Sequence, residues 1–185
     1  GVAGFQCGEG AETLHGGAGD DILLGSAGAD MLDGGAGNDT VSYAASGAAV
    51  TAYLDGRAGS GGDAAGDVLS NVERLIGSAQ GDMLVGSDNA DRIEGGGGDD
   101  IIQGAGGNDV LLGGAGNDMI TGGDGAEMID GGLGDDIASY ADSTSAVTVS
   151  LDGTAGSGGT AQGDTLTNVE TLVGSNYDDI LGGSA

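Results

Sequence analysis

Aliphatic residues recur every nine positions along most of the chain. Seven nine-residue units follow one another without a gap from residue 77 to residue 139, and the eighth place of each holds Leu84, Ile93, Ile102, Leu111, Ile120, Ile129 and Ala138. Places seven to nine predict a three-residue β-strand whose eighth side chain points inward and whose neighbours point outward. One unit cannot bury one aliphatic side chain alone, so the units must stack.

The same pattern extends to both sides of this block. Residues 7–42 hold four more units, of which the first is degenerate, and residues 174–185 begin a further block. The eighth place in the first four units holds Leu14, Leu23, Leu32 and Val41. Both ends of the chain fall within degenerate repeats, so we expect it to be a fragment of a longer protein.

Two inter-block segments, residues 43–76 and 140–173, interrupt the nine-residue period. In the first, alternation predicts strands near residues 50–54, 67–69 and 72–76, with a Gly/Ser/Ala-rich loop between the first two. Residues 42–78 and 139–175 are identical at 25 of 37 aligned positions. A flexible linker does not keep its apolar positions in this way. We therefore interpret both segments as coils of the same stack that carry longer loops.

An acidic residue occupies the sixth place of nearly every unit, and glycines dominate places one, two and four. The glycines permit positive φ and a tight turn, which holds the carboxylate where loop carbonyls can converge beside it. Ligation by oxygen alone suits a hard cation such as Ca²⁺. Place five often holds Asp or Asn, and these residues favour turns before they favour ligation.

The repeat pattern G-G-x-G-x-D-x-U-x resembles the calcium-binding nonapeptide of the RTX (repeats-in-toxin, haemolysin-type) family. This resemblance implies an all-β fold, a right-handed parallel β-roll with two units per turn. It also implies that each calcium ion lies between loop n and loop n+2. Counting such loop pairs gives about seven ions or more.

The candidate metal ligands are mainly the acids of place six. Glu127 is one methylene longer than Asp, and Asp67 and Asp164 are additional candidates because each follows a glycine within an inter-block segment. Backbone carbonyls of the glycines are the remaining candidates. The full predicted set is Asp21, Asp30, Asp39, Asp67, Asp82, Asp91, Asp100, Asp109, Asp118, Glu127, Asp136, Asp164 and Asp179, with Gly17, Gly19, Gly96, Gly98, Gly114 and Gly116.

The large excess of acidic over basic residues argues against partners that are themselves anionic. The chain has 3 Lys and Arg against 30 Asp and Glu, for a formal net charge of −27. This charge opposes binding to nucleic acid and to anionic membrane surfaces. With 45 Gly and only 3% aromatic residues, the metal-free chain is expected to be disordered. It contains no apolar run of transmembrane length, and its single cysteine, Cys7, cannot form an internal disulfide.

Catalysis is not expected from this sequence. His15 is the only histidine, so neither an H-E-x-x-H zinc site nor a Ser-His-Asp triad can be assembled within the chain. The glycine runs precede short strands rather than a helix, which is atypical of phosphate-binding loops. Acidic pairs are numerous, but their periodicity favours metal ligation over glycoside hydrolysis.

The most consistent interpretation is a calcium-binding module that folds outside the cell. Resemblance to the family implies type I secretion as part of a toxin or as the accessory domain of a secreted enzyme. The alternative is a repeat extender of a cell-surface adhesin or surface-layer protein, which would bind a host-cell or other surface partner through its outer faces. Place seven supplies apolar residues for such faces, including Met83, Ile101, Val110, Met119 and Met128.

Overall fold

The computed structural model describes residues 4–184, which form β-strands, turns and two short 3-10 helices, Gly62–Ala64 and Gly159–Ala161. The strands are β1 Gly4–Gln6, β2 Thr13–Ala18, β3 Ile22–Leu24, β4 Met31–Ala36, β5 Thr40–Ser42, β6 Thr51–Tyr53, β7 Val68–Ser70, β8 Arg74–Ile76, β9 Met83–Val85, β10 Arg92–Gly97, β11 Ile101–Gly106, β12 Val110–Ala115, β13 Met119–Asp124, β14 Met128–Leu133, β15 Ile137–Ser139, β16 Thr148–Ser150, β17 Thr165–Thr167, β18 Thr171–Val173 and β19 Ile180–Gly182. Within the described residues there is no helix long and apolar enough to cross a membrane.

Strands of the repeat blocks pair in parallel with the strand two units away. Ile93 in β10 lies opposite Leu111 in β12, which lies opposite Ile129 in β14. The intervening units build a separate sheet, in which Ile102 of β11 lies opposite Ile120 of β13. Two units therefore make one turn and the two sheets face each other, which confirms the predicted parallel β-roll.

One sheet of the roll has eight strands in the order β1-β3-β5-β8-β10-β12-β14-β17. The other has six, in the order β18-β15-β13-β11-β9-β6, and smaller sheets β2-β4-β7 and β16-β19 lie at the two ends. The core runs between the sheets as a column of side chains from the eighth places. Every eighth-place residue from Leu84 to Ala138 is fully buried, as the sequence predicts.

The strands inside the long block are twice as long as predicted. β10 to β14 each span six residues, because places one to three of the following unit continue the ladder. Gly96 lies opposite Gly114 and Gly97 opposite Ala115 in the same register as the apolar residues. Glycine has low strand propensity, but the stacked loops supply a backbone partner on both sides, and this decides the conformation.

The inter-block segments contain the predicted strands and one feature that was not predicted. β7 and β8 continue the roll next to β4 and β5, whereas β6 pairs with β9 further along the axis. Residues 58–60 run antiparallel to both neighbours, since Ala58 bridges Val68 and Thr51 bridges Ser60. The stretch expected to be a plain loop therefore closes the gap between β7 and β6 and pairs their exposed edges. The second segment repeats this arrangement, with a bridge between Thr148 and Ser157.

Candidate metal centre

The sixth-place acids of the blocks lie in the loops immediately before the strands, where the parallel register stacks them in two rows. In one row Asp100 Oδ1 accepts the N–H of Asp82 (2.7 Å), and Asp118 Oδ1 accepts the N–H of Asp100 (2.8 Å). In the other row Asp109 Oδ1 accepts the N–H of Asp91 (2.8 Å). Each such carboxylate therefore joins loop n to loop n−2 through one oxygen.

The second oxygen of most of these carboxylates is buried without a hydrogen-bond partner among the described residues. This holds for Oδ2 of Asp30, Asp39, Asp100, Asp109, Asp118 and Asp136, and for both carboxylate oxygens of Glu127. We call these seven residues the open acids. A buried carboxylate oxygen without a donor is costly to leave unsatisfied. A row of them indicates that a cation, rather than a protein donor, completes the loops.

Backbone carbonyls converge on the same space. A Cβ added at Gly95, the first place of its unit, would overlap both Asp100 Oδ2 and the carbonyl oxygen of Gly113 in loop n+2. Glycine is thus required at place one by lack of space. At places two and four it is required by the backbone, with φ of +107° at Gly96 and +94° at Gly98, a region that disfavours other residues.

All six glycines predicted as carbonyl ligands have this left-handed backbone. Their carbonyl oxygens lie against the equivalent glycines of loop n+2, so closely that a Cβ there would overlap them. The six are Gly17, Gly19, Gly96, Gly98, Gly114 and Gly116. At place one, a carboxylate oxygen of loop n and a carbonyl oxygen of loop n+2 therefore face a shared space. Oxygen-only ligands in irregular numbers are the donor set that Ca²⁺ takes.

Comparison with known proteins agrees with this geometry. A family model described as the RTX calcium-binding nonapeptide repeat matches residues 8–41, 76–111 and 103–138. The chain belongs to this RTX repeat family. No curated protein matches the chain. RTX repeats bind Ca²⁺, so the chain is a calcium-binding β-roll.

The stacked acids of the RTX roll are buried, and most lie close to other carboxyl groups. Burial raises the pKa of Asp100 and of Asp109 to about 7. Burial, followed by the neighbouring carboxyl of Asp164, raises the pKa of Glu127 to about 9. Burial also raises the pKa of Asp118 and Asp136. Without a cation, burial therefore shifts the titration of these groups toward the protonated form within the folded roll.

Three predicted acids are capped by a serine at place two. Ser78 donates its N–H and hydroxyl to Asp82, at 2.5 and 2.9 Å. Ser87 donates in the same way to Asp91, at 2.6 and 2.8 Å. The hydroxyl of Ser175 donates to Asp179 at 2.7 Å. These three RTX units also lack glycine at place four, where Gln80, Asn89 and Tyr177 stand.

The two inter-block candidates are held by tyrosines. Asp67 Oδ2 accepts the hydroxyl of Tyr43 at 2.8 Å, and its Oδ1 accepts the N–H of Asp30 at 2.8 Å. Asp164 is held in the same way, by Tyr140 at 2.9 Å and by the N–H of Glu127 at 3.0 Å. Both oxygens of each carboxylate therefore already have protein donors.

Sequence reasoning missed Glu73 and Glu170, which continue the rows of acids across the inter-block segments. Glu73 Oε2 accepts the N–H of Asp39 at 2.8 Å, and Glu170 Oε2 accepts that of Asp136 at 2.9 Å. Each glutamate lies two residues after an asparagine whose backbone is in the left-handed region, Asn71 (φ +51°) or Asn168 (φ +48°). The shared Asn-Val-Glu triplet of the two segments was the available signal.

Place-five residues, predicted as turn formers before ligands, connect loops that lie two units apart. Asp99 Oδ1 accepts the N–H of Asn117 at 2.7 Å, and Asn117 Oδ1 accepts that of Asp135 at 2.9 Å. These bonds form an exposed ladder between loops n and n+2.

The predicted ligand Asp21 occupies the buried sixth place of its unit, and its N–H donates to Asp39 Oδ1 at 2.7 Å.

Proposed function

We propose that the protein is a module whose folding depends on calcium and which acts outside the cell. The observation that carries this proposal is the row of open acids, whose buried oxygens face carbonyls of the neighbouring loop. A chain of net charge −27 gains this fold only when cations neutralise the rows. Metal binding and folding are then one process.

The proposed ligands are the open acids and Asp21, together with the carbonyls of places one, two and four. Asp82, Asp91 and Asp179 join them only by exchanging a serine hydrogen bond for the ion. Asp67 and Asp164 act instead as structural acceptors for tyrosine. The stoichiometry is about seven ions, and the affinity lies in the weaker extracellular range, around 10⁻⁴ M.

Dependence on calcium suits a protein that leaves the cell unfolded. Where free calcium is scarce the rows of carboxylates repel, and where it is abundant the roll forms. We infer export through a type I secretion system, by similarity to the RTX family, as part of a toxin or as the accessory domain of a secreted enzyme. The module itself has a structural role and no catalytic one.

A second candidate function is that of a repeat extender in a surface adhesin. The exposed side chains of place seven favour it, since Met31 and Met128 are 57% and 56% exposed and Leu133, at place three, is 75% exposed. In register, Val110 lies opposite Met128 and Ile101 opposite Met119. Such apolar ladders would contact a partner through the outer faces of the roll.

Circular dichroism with calcium and with chelator tests the first proposal. We expect a coil spectrum with chelator and a β-rich spectrum with calcium, together with about seven ions by titration calorimetry. A β-rich spectrum that chelation leaves unchanged would refute calcium-dependent folding. A stoichiometry of one or two ions would refute the shared use of loops n and n+2.

A further inference from the structure

The first loop of the roll differs from every other loop of the two blocks because its first place holds a cysteine. Cys7 is 5% exposed and forms no disulfide. Its sulfur, a carboxylate oxygen of Glu12 and a carboxylate oxygen of Asp30 all lie within 4.8 Å of one another. Glu12 is the sixth-place acid of the same unit, and Asp30 is that of the unit two further on.

Two oxygens in this cluster have no donor. Asp30 is 1% exposed; its Oδ1 accepts the N–H of Glu12 at 2.9 Å, whereas its Oδ2 is buried without a hydrogen-bond partner in the described part of the chain. Glu12 Oε2 is likewise buried and without a partner. The thiol, a weak donor, cannot satisfy both. A bound cation would satisfy both of these buried oxygens.

The geometry of the loop explains how sulfur reaches this space. At Gly16, the first place of the next unit, an added Cβ would lie 2.9 Å from Asp21 Oδ2. A side chain at place one thus points directly at the carboxylate of its own unit. In the first unit Glu12 makes room, because its Oε1 packs against Gly8 and Gly10, 3.3 and 3.1 Å from the positions of their would-be Cβ atoms.

The donor set here is unlike that of a calcium site. Ca²⁺ takes oxygen ligands only, whereas a thiolate with carboxylates suits a borderline cation that prefers few ligands. Zn²⁺ accepts Cys, Asp and Glu in a tetrahedral site and can complete three protein ligands with water. We propose that Cys7, Glu12 and Asp30 form one Zn²⁺ site at the start of the roll, where Zn²⁺ takes the place of the calcium ion that these two loops would otherwise share. On binding, the thiol proton passes to solvent and a Zn–S bond forms.

This site does not depend on how tightly the other loops bind calcium, provided that the roll is folded. The test therefore uses the whole chain in saturating calcium. Cd²⁺ serves as the probe, because its bond to thiolate gives an ultraviolet charge-transfer band that carboxylate ligation lacks. We expect the band to saturate at one Cd²⁺ per chain and Zn²⁺ to displace it. Zn²⁺ should also slow alkylation of Cys7 about tenfold or more.

The variants separate a built site from a thiol that binds metal by itself. Cys7→Gly restores the glycine of the other units and should abolish the band while leaving the calcium-loaded spectrum β-rich. Asp30→Asn keeps the thiol and should weaken Zn²⁺ binding by about 10–100-fold. Glu9→Gln, an exposed acid of the same loop, is the matched control and should change nothing. The proposal is overturned if no band appears, or if Asp30→Asn binds Cd²⁺ and Zn²⁺ as tightly as the native chain.

Discussion

Asp100→Asn should have opposite effects on the metal-free and calcium-loaded roll. Asp100 is an open acid in the middle of the long block, 1% exposed, with Oδ1 on the N–H of Asp82 and Oδ2 without a partner. Asparagine keeps the acceptor oxygen and the shape but removes the charge. The metal-free fold then loses a repulsive group, and the calcium-loaded fold loses a ligand.

The magnitude for the metal-free roll follows from the pKa of Asp100. Burial raises this pKa from its ordinary value to about 7, and about 1.4 kcal/mol per pKa unit sets an upper bound of about 4 kcal/mol on the cost of the charge. Solvent near the loop edge screens part of this cost, so we expect a gain of about 2 kcal/mol at pH 8. Binding of one ion stabilises by RT ln(1 + [Ca²⁺]/Kd). The two effects balance at calcium about 30 times the Kd of that ion.

The assay is thermal unfolding over a calcium series, with an osmolyte added to promote folding in chelator. The stability curves of Asp100→Asn and of the native chain should cross, with the variant more stable at low calcium and less stable at high calcium. Asp82→Asn is the control. Its carboxylate accepts N–H groups from Ser78 and Val50, so an amide nitrogen in place of one oxygen should destabilise the roll at every calcium concentration.

The result that would refute this reasoning is a parallel shift of the Asp100→Asn curve. A variant less stable at all calcium concentrations would mean that the second oxygen has a protein donor. A variant more stable throughout would mean that Asp100 does not bind calcium. If Asp82→Asn crossed in the same way, the distinction between open and serine-capped acids would be wrong.

Asp109→Ala should raise the calcium midpoint of folding more than Asp179→Ala, because Asp109 lies mid-block and Asp179 lies at an end; equal shifts would contradict stacking. Burial raises the pKa of five open acids, Asp100, Asp109, Asp118, Glu127 and Asp136. The folded metal-free roll therefore binds more protons than the unfolded chain between about pH 4 and 7, so its stability falls as pH rises. Dichroism in chelator should therefore show more β structure at about pH 5 than at about pH 8, and the reverse order would refute the burial of these charges. The triple variant with threonine at Val110, Met119 and Met128 should show reduced self-association by sedimentation, or reduced thermal stability, in the presence of calcium. If neither changes, the apolar ladder is a consequence of strand chemistry alone.

The nine-residue pattern by itself determined the repeating part of the fold. Each residue from Leu84 to Ala138 at place eight fills one step of the core, because a unit that short has only one inward side chain to bury. The same spacing located the acids before each strand and the glycines around them. These are local consequences of period and backbone freedom, so the repeat alone could predict them.

Which of the acids have protein hydrogen-bond donors and which have a buried oxygen without one depended on tertiary structure. Asp67 resembles a ligand in sequence, but Tyr43 reaches it from 24 residues away. Residues 58–60 resemble a loop in sequence, yet they bridge β6 and β7, the edge strands of two different sheets. Cys7 meets Asp30 only because register places loop n beside loop n+2. Periodicity predicts what each unit contributes, whereas the partner of each oxygen is set by contacts between units, which short-range spacing does not encode.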